Sequence, residues 1–271
     1  MQNRLPHAHL VQPDIRWEDP ASNHEQVRQL LDKADVQPGD FILLPEMFAT
    51  GFSFNIEQTN DKSGDTLSFL LELADETGAI VQGGRTVSPC HKCIAKNVMT
   101  AVAPQQKLLS EYAKHHLFSP AGETERFEPG DTIETYMWPA AELRVMPAVC
   151  YDLRFAELFG KGLKAGAQLI ALGACWPSVR AHHWRALLIA RAIETQAFVL
   201  GVNRVGSDPA KPDGSPGLPY VGGSLIISPT GEILAEAGDQ PGVLSSPIDA
   251  AVLHNWRSKF PAWRERIASL A

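Results

Sequence analysis

The sequence predicts an α/β fold in which two β-sheets form a sandwich flanked by helices. Three observations lead there. Short aliphatic runs bounded by turn residues alternate with longer segments of helical period. The alternation occurs twice, on either side of a β-rich middle stretch, as a layered molecule with two sheets requires. The 271 residues, 44% of them hydrophobic, suffice for one large core, so 1–271 is expected to be a single domain.

The elements support this in chain order. Ser22 and Glu25 have capping-box spacing ahead of VRQLLDKA, where Val27, Leu30, Leu31 and Ala34 share one helical face. FILLP is the first clear strand. Asp65 is placed to cap the helix TLSFLLELADETG, and AIVQGGRTV reads as a strand ending near a close backbone approach, given its paired glycines. A turn at SPCHKC leads to the β-rich group CIAKNVMTAVAP, KLLSEYA, ETYMW and ELRVMPAVC. The second alternation is FAELFGKGLKAGA as helix, QLIALGACW as strand, PSVRAHHWRALLIARAIETQ as a long helix with Pro177 in its first turn, and FVLGVNRVG as strand. Residues 206–219, GSDPAKPDGSPGLP, read as a Gly/Pro-rich loop too short to link domains and placed to edge a pocket.

Charge and cysteine usage narrow the function. A net charge of -7 and no basic run argue against binding to nucleic acid or anionic membranes and favour a small solute as partner. The N-terminus has no signal-peptide pattern, and no run approaches the roughly 18 apolar residues of a membrane span, so a soluble, cytoplasmic protein is expected. Four cysteines are too few for a disulfide scaffold and suit a reducing compartment. Cys90 and Cys93 form a CxxC around His91, but zinc needs two further ligands that the neighbourhood does not offer. His182 and His183 would diverge by about 100° on a helix and cannot chelate as a pair, so they read as surface or packing residues. With neither a GxGxxG nor a P-loop, no metal and no other cofactor is expected.

Three polar residues interrupt the ends of apolar strands. Cys150 follows RVMPAV and precedes YDLRF, Glu46 closes FILLPE, and Lys114 lies in SEYAKHHLF. Each has a structural alternative: a buried core thiol, a strand-end ion pair, an exposed strand lysine. Carboxylates and ammonium groups are rarely buried unless paired, so three such residues at strand ends point to one shared site. Arg154 and Glu157 have the spacing of an ion pair bracing the turn after Cys150, and Trp176 in ACWPS is placed either to wall a pocket or to pack the core.

LPEMFATGF, YAKHHLFSPAGE and VCYDLRFAELF resemble, in this order, the Glu-Lys-Cys signature of the nitrilase, or carbon-nitrogen hydrolase, superfamily. The likeness extends from HLVQPDIRWEDP through ARAIETQAFVLGVNRVG to GGSLIISPTGEIL and KFPAWRER, nearly the whole chain. Within the superfamily, WEDP, PEMFATGF, CYDLRF, NRVGSD and FPAWR look most like the omega-amidase branch with its bacterial YafV-type members. The resemblance implies an αββα four-layer sandwich, a homodimer, and cofactor-free hydrolysis of a small-molecule amide. In that chemistry Cys150 is the nucleophile, and Glu46, its proton affinity raised by burial, is the base for attack and for thioester hydrolysis. Lys114 stabilises the oxyanion together with the backbone N–H of Tyr151. Glu123 falls where the family has a second glutamate, with Glu125 and Glu128 as rivals. The branch implies a 2-oxo dicarboxylic acid monoamide such as 2-oxoglutaramate as substrate. The other readings are a different linear amidase, an N-carbamoyl amidase or, less favoured, nitrile cleavage. From a different class, a non-catalytic metal-binding module would use Cys90, Cys93 and histidines.

Overall fold

A computed structural model describes residues 4–88, 93–210 and 214–269. The first half runs β1 (His7–Gln12), α1 (Pro20–Leu31), β2 (Phe41–Leu43), α2 (Ile56–Thr59), α3 (Asp65–Thr77), β3 (Ile80–Val87), β4 (Lys96–Ala103) and β5 (Lys107–Ala113). The second continues β6 (Tyr136–Trp138), β7 (Leu143–Val149), α4 (Ala156–Lys164), β8 (Leu169–Gly173), α5 (Ala181–Thr195), β9 (Phe198–Val202), β10 (Val205–Ser207), β11 (Pro219–Val221), β12 (Leu225–Ile227), β13 (Ile233–Glu236), β14 (Gly242–Pro247), α6 (Ala250–Lys259) and α7 (Ala262–Ala268).

Two six-stranded mixed sheets result, in the orders β14-β1-β2-β3-β4-β5 and β13-β12-β9-β8-β7-β6. The centre of each is parallel (β1, β2, β3 and β7, β8, β9) and its flanks antiparallel. Side-chain alternation builds the layers. Leu10, Phe41 and Leu43 face Val145, Leu169, Ala171 and Leu200 between the sheets. The intervening Val11, Ile42 and Leu44 turn outward against Val27 and Leu31 of α1 and Phe69, Leu70 and Leu73 of α3. On the far side Met146, Ala148, Ile170 and Leu172 meet Leu158 and Phe159 of α4 and Trp184 and Leu188 of α5. This is the αββα sandwich that the sequence predicted. Among the described residues no helix is long and apolar enough to cross a membrane.

Several local expectations are corrected. The cap of α1 is Asp19, which accepts the Ser22 N–H at 3.1 Å, because Pro20 can start a helix and its missing N–H is not needed there; the Ser22/Glu25 box lies inside the helix. Asp65 is the first residue of α3, and the carboxylate of Asp61 receives the N–H groups of Thr66 and Leu67 instead. Pro177 precedes a separate 3-10 turn, Ser178–Arg180, and α5 begins after it. FVLGVNRVG is broken at Asn203 and Arg204 into β9 and β10. The 206–219 segment is not wholly a loop: β10 pairs with β11 (Gly206↔Tyr220), while Lys211, Pro212 and Asp213 lie outside the described residues.

Candidate active site

The carboxyl ends of the central strands of both sheets converge, as expected of ligand sites in α/β sheets. Past β2 the backbone of Glu46 passes between two glycines, one from each sheet. A Cβ on Gly84 of β3 would stand 2.7 Å from the Glu46 Cα, and one on Gly173 of β8 would stand 3.0 Å from its N. No larger residue fits at Gly84 without moving this segment. The next residue, Met47, has φ 43°, and Cys150, which opens a 3-10 turn after β7, has φ 44°. Left-handed backbone at a residue with a Cβ costs on the order of 1–3 kcal/mol and persists only where the surroundings enforce it. Both turns are thus held in uncommon conformations that aim Glu46 and Cys150 at the same space.

Lys114, directly after β5, is fully buried. Its Nζ donates to Glu46 Oε1 at 2.8 Å and to Glu123 Oε1 and Oε2 at 3.0 and 2.9 Å. Burial alone would drive the proton off this amine, but the charges of Glu46 and Glu123 outweigh it and hold the ammonium above its ordinary value. Of the rivals for the second glutamate, Glu125 is exposed and Glu128 pairs with Lys96 at 3.4 Å on the surface. Glu46 also accepts from Asn97 Nδ2 at 2.7 Å on Oε1 and from the Cys175 N–H at 3.0 Å on Oε2. Burial pushes the Cys150 thiol well up, the neighbouring charge of Glu46 adds to this, and Lys114 opposes both. A thiol whose proton affinity is raised in this way calls for a base when it attacks.

Asp152 anchors the thiol's turn. It accepts from the Val149 N–H at 3.1 Å, the His116 N–H at 2.9 Å and the Tyr112 hydroxyl at 2.8 Å. Tyr151 follows Cys150 within the first turn, where N–H groups lack helical partners.

Cys150 opens onto a recess with about 440 Å³ of open space, its mouth included, walled by Phe52, Phe118, Tyr151, Trp176 and Tyr220. Trp176 takes both predicted roles. Its ring lines the recess and packs on Trp184, and its backbone is clamped by Asn203 (N–H to Oδ1 2.8 Å, Nδ2 to C=O 3.0 Å). The 206–219 segment edges the recess through Leu218, and Tyr220 beyond it is held by a hydroxyl bond to Asp208 at 2.8 Å. The expected Arg154–Glu157 pair does not form. The 3-10 turn ends at Arg154 and α4 starts in a new direction, so the guanidinium instead lies 5.0 Å over Trp176, with His183 Nδ1 at 3.1 Å. Arg180 also lines the recess, 5.3 Å over Phe118. The sequence assigned Arg154 to an ion pair and singled out neither Asn97 nor Arg180; for Asn97 a polar residue opening the apolar run NVMTAVA was the one available signal.

His182 is exposed and its ring lies 4.1 Å from that of His183. Cys90 and His91 lie outside the described residues, and among those described no three His, Cys, Asp or Glu side chains group as metal ligands.

A buried carboxylate, ammonium and thiol at converging strand ends of a four-layer sandwich define a hydrolase class, and residues 8–258 match the carbon-nitrogen hydrolase family, to which this chain belongs. It is 34% identical over 257 residues to the omega-amidase YafV of Yersinia enterocolitica, covering 94% of each chain. It is 31% identical over 255 residues to the 2-oxoglutaramate amidase of Bacillus subtilis, covering 93% of this chain and 94% of the relative. Among solved structures, a carbon-nitrogen hydrolase superfamily protein from Xanthomonas campestris, with an arsenic adduct in its active site, superimposes with a TM-score of 0.86. That pair shares 33% identity over 97% of both chains.

Proposed function

We propose that the chain is an amidase that hydrolyses the terminal amide of short 2-oxo dicarboxylic acid monoamides, such as 2-oxoglutaramate, to the 2-oxo acid and ammonia. The observation that carries the proposal is a buried thiol beside a buried carboxylate and ammonium, opening onto a recess that presents two guanidinium groups. In this reading Glu46 takes the Cys150 proton as sulfur attacks the amide carbon. Lys114 and the Tyr151 N–H stabilise the resulting oxyanion. The same proton passes to the departing nitrogen, ammonia leaves, and a thioester remains. Glu46 then removes a proton from water, whose attack releases the acid and restores the thiol. Glu123 acts by holding Lys114 in place.

Substrate class is supported by the relatives named omega-amidase and 2-oxoglutaramate amidase and by the recess itself. Aromatic walls suit a short carbon chain, while Arg154 and Arg180 suit its carboxylate. The reading includes a single domain over 1–271 and a homodimer in the cytoplasm, expectations that rest on the family resemblance and on sparse cysteines. Steady-state ammonia release from 2-oxoglutaramate, glutamine, asparagine and N-carbamoyl amino acids tests the proposal. The expected result is a clear preference in kcat/KM for 2-oxoglutaramate and no turnover by Cys150→Ala. Equal use of amides without a 2-oxo acid group would overturn the substrate assignment, and near-normal activity of Cys150→Ala would overturn the mechanism.

A further inference from the structure

We infer that Asn97 is a positioning residue for the base, fixing which oxygen of Glu46 can receive the thiol proton; this rests on the role proposed for Glu46. Asn97 is the second residue of β4 and only 1% exposed. Its Nδ2 donates to Glu46 Oε1 at 2.7 Å and to Glu123 Oε1 at 3.0 Å, and its backbone carbonyl accepts the Lys114 N–H at 2.8 Å. One residue therefore touches all three charged members of the cluster.

The side chain is present at a disadvantage to the fold. Its Oδ1 is buried with no hydrogen-bond partner, and a buried orphan acceptor is destabilising. Turning the amide over would set Oδ1 against two carboxylate oxygens, so its orientation is fixed by its neighbours. An apolar residue would spare the strand this orphan, and what it would lack is the pair of N–H donors. Their effect on Glu46 follows from counting lone pairs. Oε1 accepts from both Lys114 and Asn97, which uses its two directions, while Oε2 accepts from the Cys175 N–H alone. The free direction for a proton is thus on Oε2. A second cation at position 97 would also hold the carboxylates but would weaken Glu46 as a base; a neutral amide orders them without cancelling their charge.

The groups with charge or a titratable proton that face Glu46 are Lys114 after β5, Glu123 in the following 3-10 turn, Cys150 after β7 and Cys175 after β8. A donor to an ionised carboxylate favours that form, and loss of the Asn97 amide removes one such donor from Glu46 and one from Glu123. Asn97→Leu, similar in volume, is expected to lower kcat about 10- to 100-fold with KM within about 3-fold, and to move the acid limb of the kcat/KM profile to higher pH. Asn97→Asp, with the same shape but a third carboxylate, is expected to be more severe. Should the leucine variant fail to fold, Asn97→Ser keeps one donor and is expected to show a smaller shift in the same direction. A parallel measurement needs no amide: the pH dependence of iodoacetamide capture at Cys150, located by peptide mass mapping. Its acid limb is expected to move the same way in the variants. If wild-type protein hydrolyses no amide, the proposed function fails while the capture profile still reports on Asn97. Profiles that superimpose on wild type, or activity lost only in proportion to folded protein, would make Asn97 a structural residue and overturn the inference.

Discussion

Asp40 immediately precedes β2 and Glu46 follows it by three residues, both fully buried, yet their surroundings differ. Asp40 accepts five hydrogen bonds: two from the Arg4 guanidinium, one each from the His7 and Gln37 N–H groups, and one from the His9 ring. Burial pushes this carboxyl up, but Arg4 and the two backbone donors more than offset it and bring it down to about 2. Glu46 accepts three, from Lys114, Asn97 and the Cys175 N–H, keeps an open lone pair, and sits between Met47 in the left-handed region and the Cys150 thiol. Burial is common to both. A carboxylate whose lone pairs are nearly all engaged braces the fold, whereas one held in place with a direction left open is equipped for proton transfer.

The contrast can be broken at either end of the strand. Among substitutions that leave Glu46 and Cys150 themselves intact, the largest effect on turnover is expected from Lys114→Met. It removes the oxyanion donor proposed above, for about 10²–10³ in kcat, and leaves Glu46 and Glu123 without a cation, which costs about 3–5 kcal/mol of stability. Kinetics together with chemical denaturation separate the two losses. Gly84→Ala is expected to be milder. Its Cβ would stand 2.5 Å from the Met47 N, so the Glu46 segment must shift, lowering kcat about 10-fold and stability by about 1–3 kcal/mol. Asp40→Asn should leave turnover per folded molecule within about 2-fold of wild type while lowering stability by about 2–4 kcal/mol.

Acid titration sharpens the same comparison. Because the folded-state value of Asp40 lies below that of an unfolded carboxylate, its contribution is complete above about pH 4 and disappears as pH falls toward 2. Wild-type Tm should therefore fall more steeply than that of Asp40→Asn across this window, measured by calorimetry at matched ionic strength.

How much of this the sequence revealed depended on whether a residue's role was local. Glu46, Lys114 and Cys150 stood out because each ends an apolar run, and the family resemblance joined them. Glu123 was separated from Glu125 and Glu128 by that resemblance alone, since all three lie in one polar stretch and only the fold buries the first. Arg180 carries no local signal and Asn97 only that of a polar residue opening an apolar run, because their partners come from other strands and loops. Arg154 misled through spacing: a pair three residues apart meets on a continuous helix, and here the backbone changes direction between them. β1 was missed for a related reason. His9 and Gln12 interrupt its apolar pattern, and each is satisfied far along the chain, His9 by Asp40 and Ser245 and Gln12 by Gly238 and Ser224. Hydrophobic periodicity finds strands whose polar residues face solvent and overlooks those whose polar residues are buried and paired.

The central claim is that Glu46 serves as base in both halves of the reaction, and intact-protein mass spectrometry of Glu46→Gln tests it most directly. Mixed with an activated ester of the 2-oxo acid, the variant should still acylate slowly at Cys150 but lack the base for water. A persistent mass increase equal to the acyl group is expected, absent from Cys150→Ala, with turnover at least about 10³-fold below wild type. Turnover near wild type with an unchanged pH profile and no retained adduct would contradict it, placing Glu46 beside Asp40 as a brace of the fold.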